Sequence, residues 1–188
     1  MIRRATAFAT LLALPAAAQE ACRVEGGPWD LDAAAVAALY ACMEGRMAEG
    51  YAAGGDPVAA AYRGWTAAAT RPALAGPHGE RFLQTFANDV AAEAYLRFRE
   101  GDFAMPVGSV LAKESFAVRD GTARVGPLFV MEKVEGAAEH GGWSYSAVQP
   151  DGTPMGISQG FCHDCHGGFE ARDSMGYPLE EVRVSAAP

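Results

Sequence analysis

The sequence predicts an α+β fold, with an N-terminal helical segment, an antiparallel β-sheet core and flanking helices. Three observations point there. Apolar residues recur at three- and four-residue spacing between 31 and 53, the period of a helix with one buried face. After about residue 80 the pattern changes to short runs of alternating apolar and polar residues, the period of half-buried strands. The last three runs follow one another through short Gly-containing turns, which leave room for antiparallel pairing but not for the crossover that parallel strands need.

Residues 1–18 read as a removable export signal. Arg3 and Arg4 precede a largely apolar stretch at 5–14, Pro15 breaks it, and Ala16-Ala17-Ala18 offers the small residues that a signal peptidase reads. The alternative is a short buried helix. The stretch is too short to span a bilayer, and no other segment approaches twenty continuous apolar residues. A mature chain starting near Gln19 is thus expected to be soluble and periplasmic. Its 19–188 suit a single domain, divided into a helical segment at 19–78 and a sheet-bearing region at 79–188. Loss of Arg3 and Arg4 takes the formal charge from −8 to −10. So acidic a chain lacks the basic footprint for nucleic acid or an anionic membrane surface.

Asp30 is placed to cap a helix over 31–53, with Val36, Leu39, Tyr40, Met43, Met47 and Tyr51 on its buried face. Gly54-Gly55 ends it. Asp56-Pro57 opens a second helix, with proline where its missing N–H costs nothing. Val58, Ala61, Tyr62 and Trp65 mark that helix's inner side, and Arg71-Pro72 and Ala75-Gly76-Pro77 close it. A strand follows at 81–87. Asn88 or Asp89 caps a helix to 99, with Val90, Tyr95 and Phe98 inward. Strands are expected at 107–118, 124–134 and 143–148, separated by Asp120-Gly121, by 136–142 and by Asp151-Gly152.

The four cysteines form two pairs of different character. Cys22 and Cys42 suit a disulfide in an oxidising compartment, the alternative being two buried thiols. Cys162-His163-Asp164-Cys165-His166 matches the Cys-x-x-Cys-His pattern of covalent haem attachment. Two intervening residues let one turn present both sulfurs to the two vinyl groups on one ring edge, with the adjacent histidine under the iron. The expected cofactor is one covalent haem c with its iron, Cys162 and Cys165 forming the thioethers and His166 the proximal ligand. A redox dithiol normally opens a βαβ unit, whereas this motif lies late, behind the strands. A zinc site would need further ligands, for which His163 and His140 are the candidates. Met131, Met155 and Met175 are the thioethers available as a second axial ligand. Met131 and Met155 precede the motif, the reverse of the order in a small electron carrier, and Met175 follows His166 by only nine residues, so an open distal face is expected.

The stretch from Arg81 to Met175 resembles the cytochrome P460 family and its beta-type cytochrome c′ relatives. The resemblance rests on 81–88 (Arg-Phe-Leu-Gln-Thr-Phe-Ala-Asn), Tyr95, 108–114 (Gly-Ser-Val-Leu-Ala-Lys-Glu), 129–133 (Phe-Val-Met-Glu-Lys), 142–145 (Gly-Trp-Ser-Tyr) and the late haem motif. It implies a mainly antiparallel sheet with flanking helices, commonly a homodimer, and a His-ligated haem with an accessible distal face. Members named for the unusual haem oxidise hydroxylamine and carry a lysine crosslinked to the macrocycle, and Lys113 resembles that residue. The beta-type c′ members instead bind gases such as nitric oxide under an apolar cap. Read locally, Lys113 shares a strand face with Leu111 and Ser115 and is an ordinary solvated lysine. Glu132 alternates with Leu128, Val130 and Val134 and is either a paired carboxylate or a distal base; a shift of one residue would put Lys133 there. Phe86, Phe129 and Trp143 are core candidates that could also line a haem pocket. The expected role is that of a haem-dependent hydroxylamine oxidoreductase with a soluble redox partner. A nitric oxide- or gas-binding protein and a plain electron-transfer cytochrome c are the alternatives. For 20–75 no counterpart is recognised, and it could cover a sheet face, form a dimer contact or occlude the haem.

Overall fold

The computed structural model describes residues 22–185; the export signal expected at 1–18 lies outside them. Helix α1 spans Ala33–Ala52 and is capped by Asp32, not Asp30. The Asp32 carboxylate accepts from the Ala35 backbone N–H at 2.8 Å, while Asp30 closes a local turn by accepting from Gly27. Leu31, just before the cap, packs into the same core as Val36, the arrangement that fixes the chain's angle of entry into a helix. The expected stripe is buried: Val36, Leu39, Met43, Met47 and Tyr51. Cys22 and Cys42 are joined as a disulfide, with Cα atoms 6.0 Å apart, tying the start of the described chain to α1.

Helix α2, Pro57–Ala61, begins at Asp56 with Pro57 in its first turn. It is shorter than the sequence suggested. A 3-10 turn at Tyr62–Gly64 redirects the chain into two short strands, β1 (Thr66–Ala67) and β2 (Ala73–Ala75). Ala59 is the buried residue of α2 and Tyr62 that of the 3-10 turn, whereas Ala61 is exposed. Alanine-rich strands of two or three residues carry no readable alternation, which is why β1 and β2 escaped the sequence reading. Strand β3 occupies Arg81–Ala87 as expected. Helix α3, Asp89–Tyr95, is capped by Asn88 and stops before 99. Phe98 adopts a positive φ of 46°, incompatible with continuing the helix. Ala91 and Tyr95 face inward, whereas Val90 is exposed.

The remaining strands are β4 (Val110–Arg119), β5 (Thr122–Val125), β6 (Leu128–Lys133) and β7 (Trp143–Val148). The strand expected at 124–134 is therefore two. Both lie along the same edge of β4, with β5 beside Phe116–Arg119 and β6 beside Val110–Lys113. Gly126-Pro127 separates them, because Pro127 has no N–H to give the ladder. Asp120 and Gly121 have φ of 50° and 67°, the two left-handed positions of a tight hairpin turn. The sheet runs β1-β3-β4-β6-β7, with β2 also on β3 and β5 on β4, and every pairing is antiparallel.

Helix α1 covers one sheet face, packing on Phe82, Phe86, Phe116, Val118, Leu128 and Val130. The segment at 20–75 thus supplies about half of the main core. The other face carries Leu111, Met131 and Tyr145 against α3, Met105 and Met175. Beyond β7, helix α4 (Gln159–His166) holds the cysteine–histidine motif. No helix among the described residues is long and apolar enough to cross a membrane.

Candidate functional site

Alternation along β4 sends Lys113 to the face away from α1, while its neighbour Glu114 goes under α1. Lys113 lies between Thr85 of β3 and Phe129 of β6, in the middle of the sheet. On this face opens a cavity of about 690 Å³, within the size range of small-molecule and cofactor sites. Its floor is formed by Leu83, Leu111, Lys113, Phe129, Met131 and Tyr145. One wall is α4, contributing Cys162, Cys165 and His166; the turn at Gly76–His78 and the segment Gly176–Leu179 complete the rim.

Helix α4 is held to the sheet by an amide clasp. β7 is an edge strand, and the Gln159 side chain bonds its free backbone: Tyr145 N–H donates to Oε1 at 2.7 Å and Nε2 donates to the Tyr145 carbonyl at 2.6 Å. Ser158 caps the helix. Cys162, Cys165 and His166 then fall within a little over one turn of α4, so all three side chains reach the same cavity. The two cysteines carry free thiols, and burial, then the neighbouring Cys165, push the Cys162 thiol up.

His166 is oriented by a strained turn. Its Nδ1 lies 2.9 Å from the Ser174 carbonyl. A carbonyl only accepts, so Nδ1 carries the proton and Nε2 keeps its lone pair. Asp173 and Ser174 have φ of 48° and 63°, which costs about 1–2 kcal/mol at each non-glycine position. Three contacts hold the turn against that cost. Lys133 Nζ pairs with the Asp173 carboxylate at 2.7 Å, Met105 N–H donates to the same carboxylate at 2.7 Å, and Trp143 Nε1 donates to the Asp173 carbonyl at 2.7 Å. Burial, with Lys113 nearby, lowers His166 to about 4, keeping the imidazole neutral.

Lys113 is buried, and its Nζ donates to the Gly176 carbonyl at 3.2 Å, which also receives Tyr95 Oη at 2.9 Å. Burial lowers Lys113 to about 8. The solvated lysine of the local reading is therefore replaced by a buried amine facing the motif. Glu132 is placed elsewhere. It is exposed, pairs in register with Val110, and is absent from the cavity lining. The parity that turns Phe129 and Met131 into the cavity turns Glu132 to the opposite face, so its expected role as a distal base is corrected. Lys133 has the right parity but is spent on Asp173. Of the three aromatic candidates, Phe129 lines the cavity, Phe86 packs under α1, and Trp143 supports the Asp173 turn. Met131 and Met155 line the cavity, whereas Met175 is fully buried in the packing behind it.

His78, at the end of the Gly76–His78 turn, is a cavity residue that the sequence reading missed. Its ring centre is 4.9 Å from that of Phe129 and 6.2 Å from that of His166. Burial, then Lys113 and His166, push it down to about 3. Its only signal in the sequence is rarity, since the chain has four histidines.

The donor set suits a haem. A mainly apolar cavity would take the macrocycle, two thiols sit at one edge, and an imidazole presents Nε2 while its other nitrogen holds a carbonyl, the second-shell support that metal-ligating histidines need. No group of three or more His, Cys, Asp or Glu among the described residues is arranged to hold a bare metal ion. No curated protein matches the chain. The family model for Cytochrome P460 matches residues 59–175. That match runs from α2 through the whole sheet and α4 to the turn behind His166, covering more than half of the sequence, and it shows that the chain belongs to the cytochrome P460 family, whose cofactor is a haem with its iron.

Proposed function

We propose that the protein is an exported, periplasmic monohaem c-type cytochrome that oxidises hydroxylamine or a related small nitrogen compound and passes the electrons to a soluble partner. The haem c would be joined by thioethers to Cys162 and Cys165, with His166 Nε2 as proximal ligand. When bound, it would supply the redox-active iron that takes electrons from the substrate. The chain's own contributions follow from the site. The Ser174 carbonyl keeps His166 in one tautomer, the Gln159 clasp holds α4 at the cavity wall, and Leu83, Leu111, Phe129 and Met131 exclude water from the floor.

The observation that carries the enzymatic reading is Lys113. It is buried in the cavity floor, in the strand that resembles the crosslink-bearing strand of hydroxylamine-oxidising members. At about 8, its pKa leaves about a tenth of the amine neutral at pH 7, and only the neutral form can attack carbon. A Lys113 tether would replace one N–H of the amine and one C–H of the macrocycle edge by an N–C bond, and the two protons and two electrons released would reduce an oxidant such as hydrogen peroxide to water. The test is a haem-peptide digest read by mass spectrometry, beside a Lys113→Ala variant assayed for hydroxylamine oxidation. A third tether through Lys113, and loss of oxidation in the variant, are expected. Thioethers alone, with an unchanged spectrum in the variant, would refute the crosslink.

One observation favours a second reading. No carboxylate lines the cavity among the described residues, so substrate protons have no acidic acceptor there. An apolar chamber of that kind suits non-enzymatic binding of nitric oxide or another small gas, and this reading takes precedence if the Lys113 tether is absent.

A further inference from the structure

We infer that His78 is a second axial ligand of the haem iron in the resting protein, which a small molecule must displace to reach the metal. The inference rests on the haem seating proposed above. His78 and His166 line the same cavity, with ring centres 6.2 Å apart and planes at 82°. A metal–imidazole bond is about 2.0–2.1 Å, and the nitrogen lies about 1.2 Å from its ring centre. Two imidazoles in line across one metal therefore have centres about 6.4 Å apart. The observed separation agrees within a few tenths of an ångström.

An edge-to-face aromatic contact spans the same distance range, so spacing alone does not decide. The hydrogen-bond inventory does. His166 has Nδ1 on the Ser174 carbonyl and Nε2 free, whereas the His78 ring bonds no group among the described residues. The His78 nitrogens are not among the enclosed unpartnered atoms of the described residues; the side chain lines the cavity, and no protein group claims the nitrogen that would ligate a metal there. The His78 turn also stands outside the sheet. Gly76, Pro77 and Gly79 around it are exposed, and Gly79 takes a φ of 74° that ends the turn before β3 begins. His78 could thus leave the metal without disturbing the sheet. The distal face is then gated, not permanently open, and Lys113, Met131 and Met155 are the rival ligands in the same cavity.

The test uses mature, haem-loaded protein, with optical and electron paramagnetic resonance spectra in both redox states and carbon monoxide binding to the ferrous form. Wild type should be low-spin, with two nitrogen ligands. His78→Ala should become high-spin and bind carbon monoxide at least about tenfold more tightly, the gain expected when a ligand occupying nine-tenths of the iron is removed. Added imidazole should restore its low-spin spectrum, which repair of a merely structural defect would not. A high-spin wild type overturns the inference, as does a low-spin spectrum that survives His78→Ala. If that spectrum is lost instead in Met131→Leu, Met155→Leu or Lys113→Ala, the ligand is the residue replaced. Should His78→Ala fail to load haem, His78→Met serves: it must exchange one nitrogen signature for a thioether one, and an unchanged spectrum overturns the inference. Failure of the seating looks different. Haem not attached to Cys162 and Cys165, or a spectrum indifferent to His166→Ala, refutes both, whereas attached haem with high-spin iron refutes only His78.

Discussion

Replacing Glu114 by alanine should cost the fold about 3 kcal/mol, because its carboxylate organises the contact between the sheet and the N-terminal helices. Glu114 is fully buried on the α1 side of β4. It accepts from Tyr40 Oη at 2.5 Å and from Tyr62 Oη, and pairs with Arg63 Nε at 3.0 Å. Removing one partner of a buried ion pair typically costs about 3–5 kcal/mol. Two observations place this case at the lower end. Arg63 keeps some solvent contact (29% exposed), and it also donates to the Glu44 carbonyl at 2.9 Å and the Tyr40 hydroxyl at 3.0 Å. Tyr62 has no such reserve and would be left as a buried unsatisfied donor, worth about 1–3 kcal/mol. With a urea dependence of about 2 kcal/mol/M, the midpoint should fall by about 1.5 M, read by far-ultraviolet circular dichroism. A fall of less than about 0.5 M would refute the reasoning. Glu114→Gln keeps the shape and one acceptor and should cost about 1 kcal/mol. Burial raises the Glu114 carboxyl above its usual range, against the lowering effects of Tyr40, Tyr62 and Arg63. The folded state therefore holds the proton more tightly than the unfolded one. That contribution to stability is fully present below the unfolded value of about 4.3 and is lost as the pH rises through the folded value. The deficit of Glu114→Gln should accordingly shrink over that window.

Three further outcomes are expected. Replacing both Cys162 and Cys165 by alanine should abolish the mass increase of one haem that survives denaturation and organic extraction; haem that extracts freely from wild type would defeat the attachment. Glu132→Ala should leave the optical spectrum and any hydroxylamine turnover unchanged and shift stability by less than about 0.5 kcal/mol, since that side chain is exposed on the far face; slowed turnover would return it to the site. Replacing Cys22 and Cys42 by alanine opens a loop with a sequence separation of 20 and should cost about 3 kcal/mol in urea unfolding, with no change in the haem spectrum.

Some elements were legible because their cause is local. The stripe from Val36 to Tyr51 needs only helical periodicity, and Asp120-Gly121 needs only the backbone freedom of a tight hairpin. Cys162, Cys165 and His166 stand out because the proposed ring attachment would demand that spacing. Even the choice of Asp32 over Asp30 as cap was a shift of two residues within a correctly placed helix. β1 and β2 were not legible, since so few alanines and neighbours define no period and exist as strands only because β3 offers an edge.

The candidate site divides in the same way. Alternation alone placed Lys113 with Leu111 and Glu132 with Val130, each correctly within its own strand. It could not say that Lys113 lies opposite Phe129 while Glu132 lies opposite Val110, and that register sends one into the cavity and the other out of it. Register depends on hydrogen bonds between strands, which no single stretch of sequence contains. His78, fifth before the sheet residue Leu83, and the Asp173–Ser174 turn enter the site for the same reason. Their neighbours there, His166 and Lys133, are distant in the chain, and only folding of β3, β6 and α4 against one another brings them within reach.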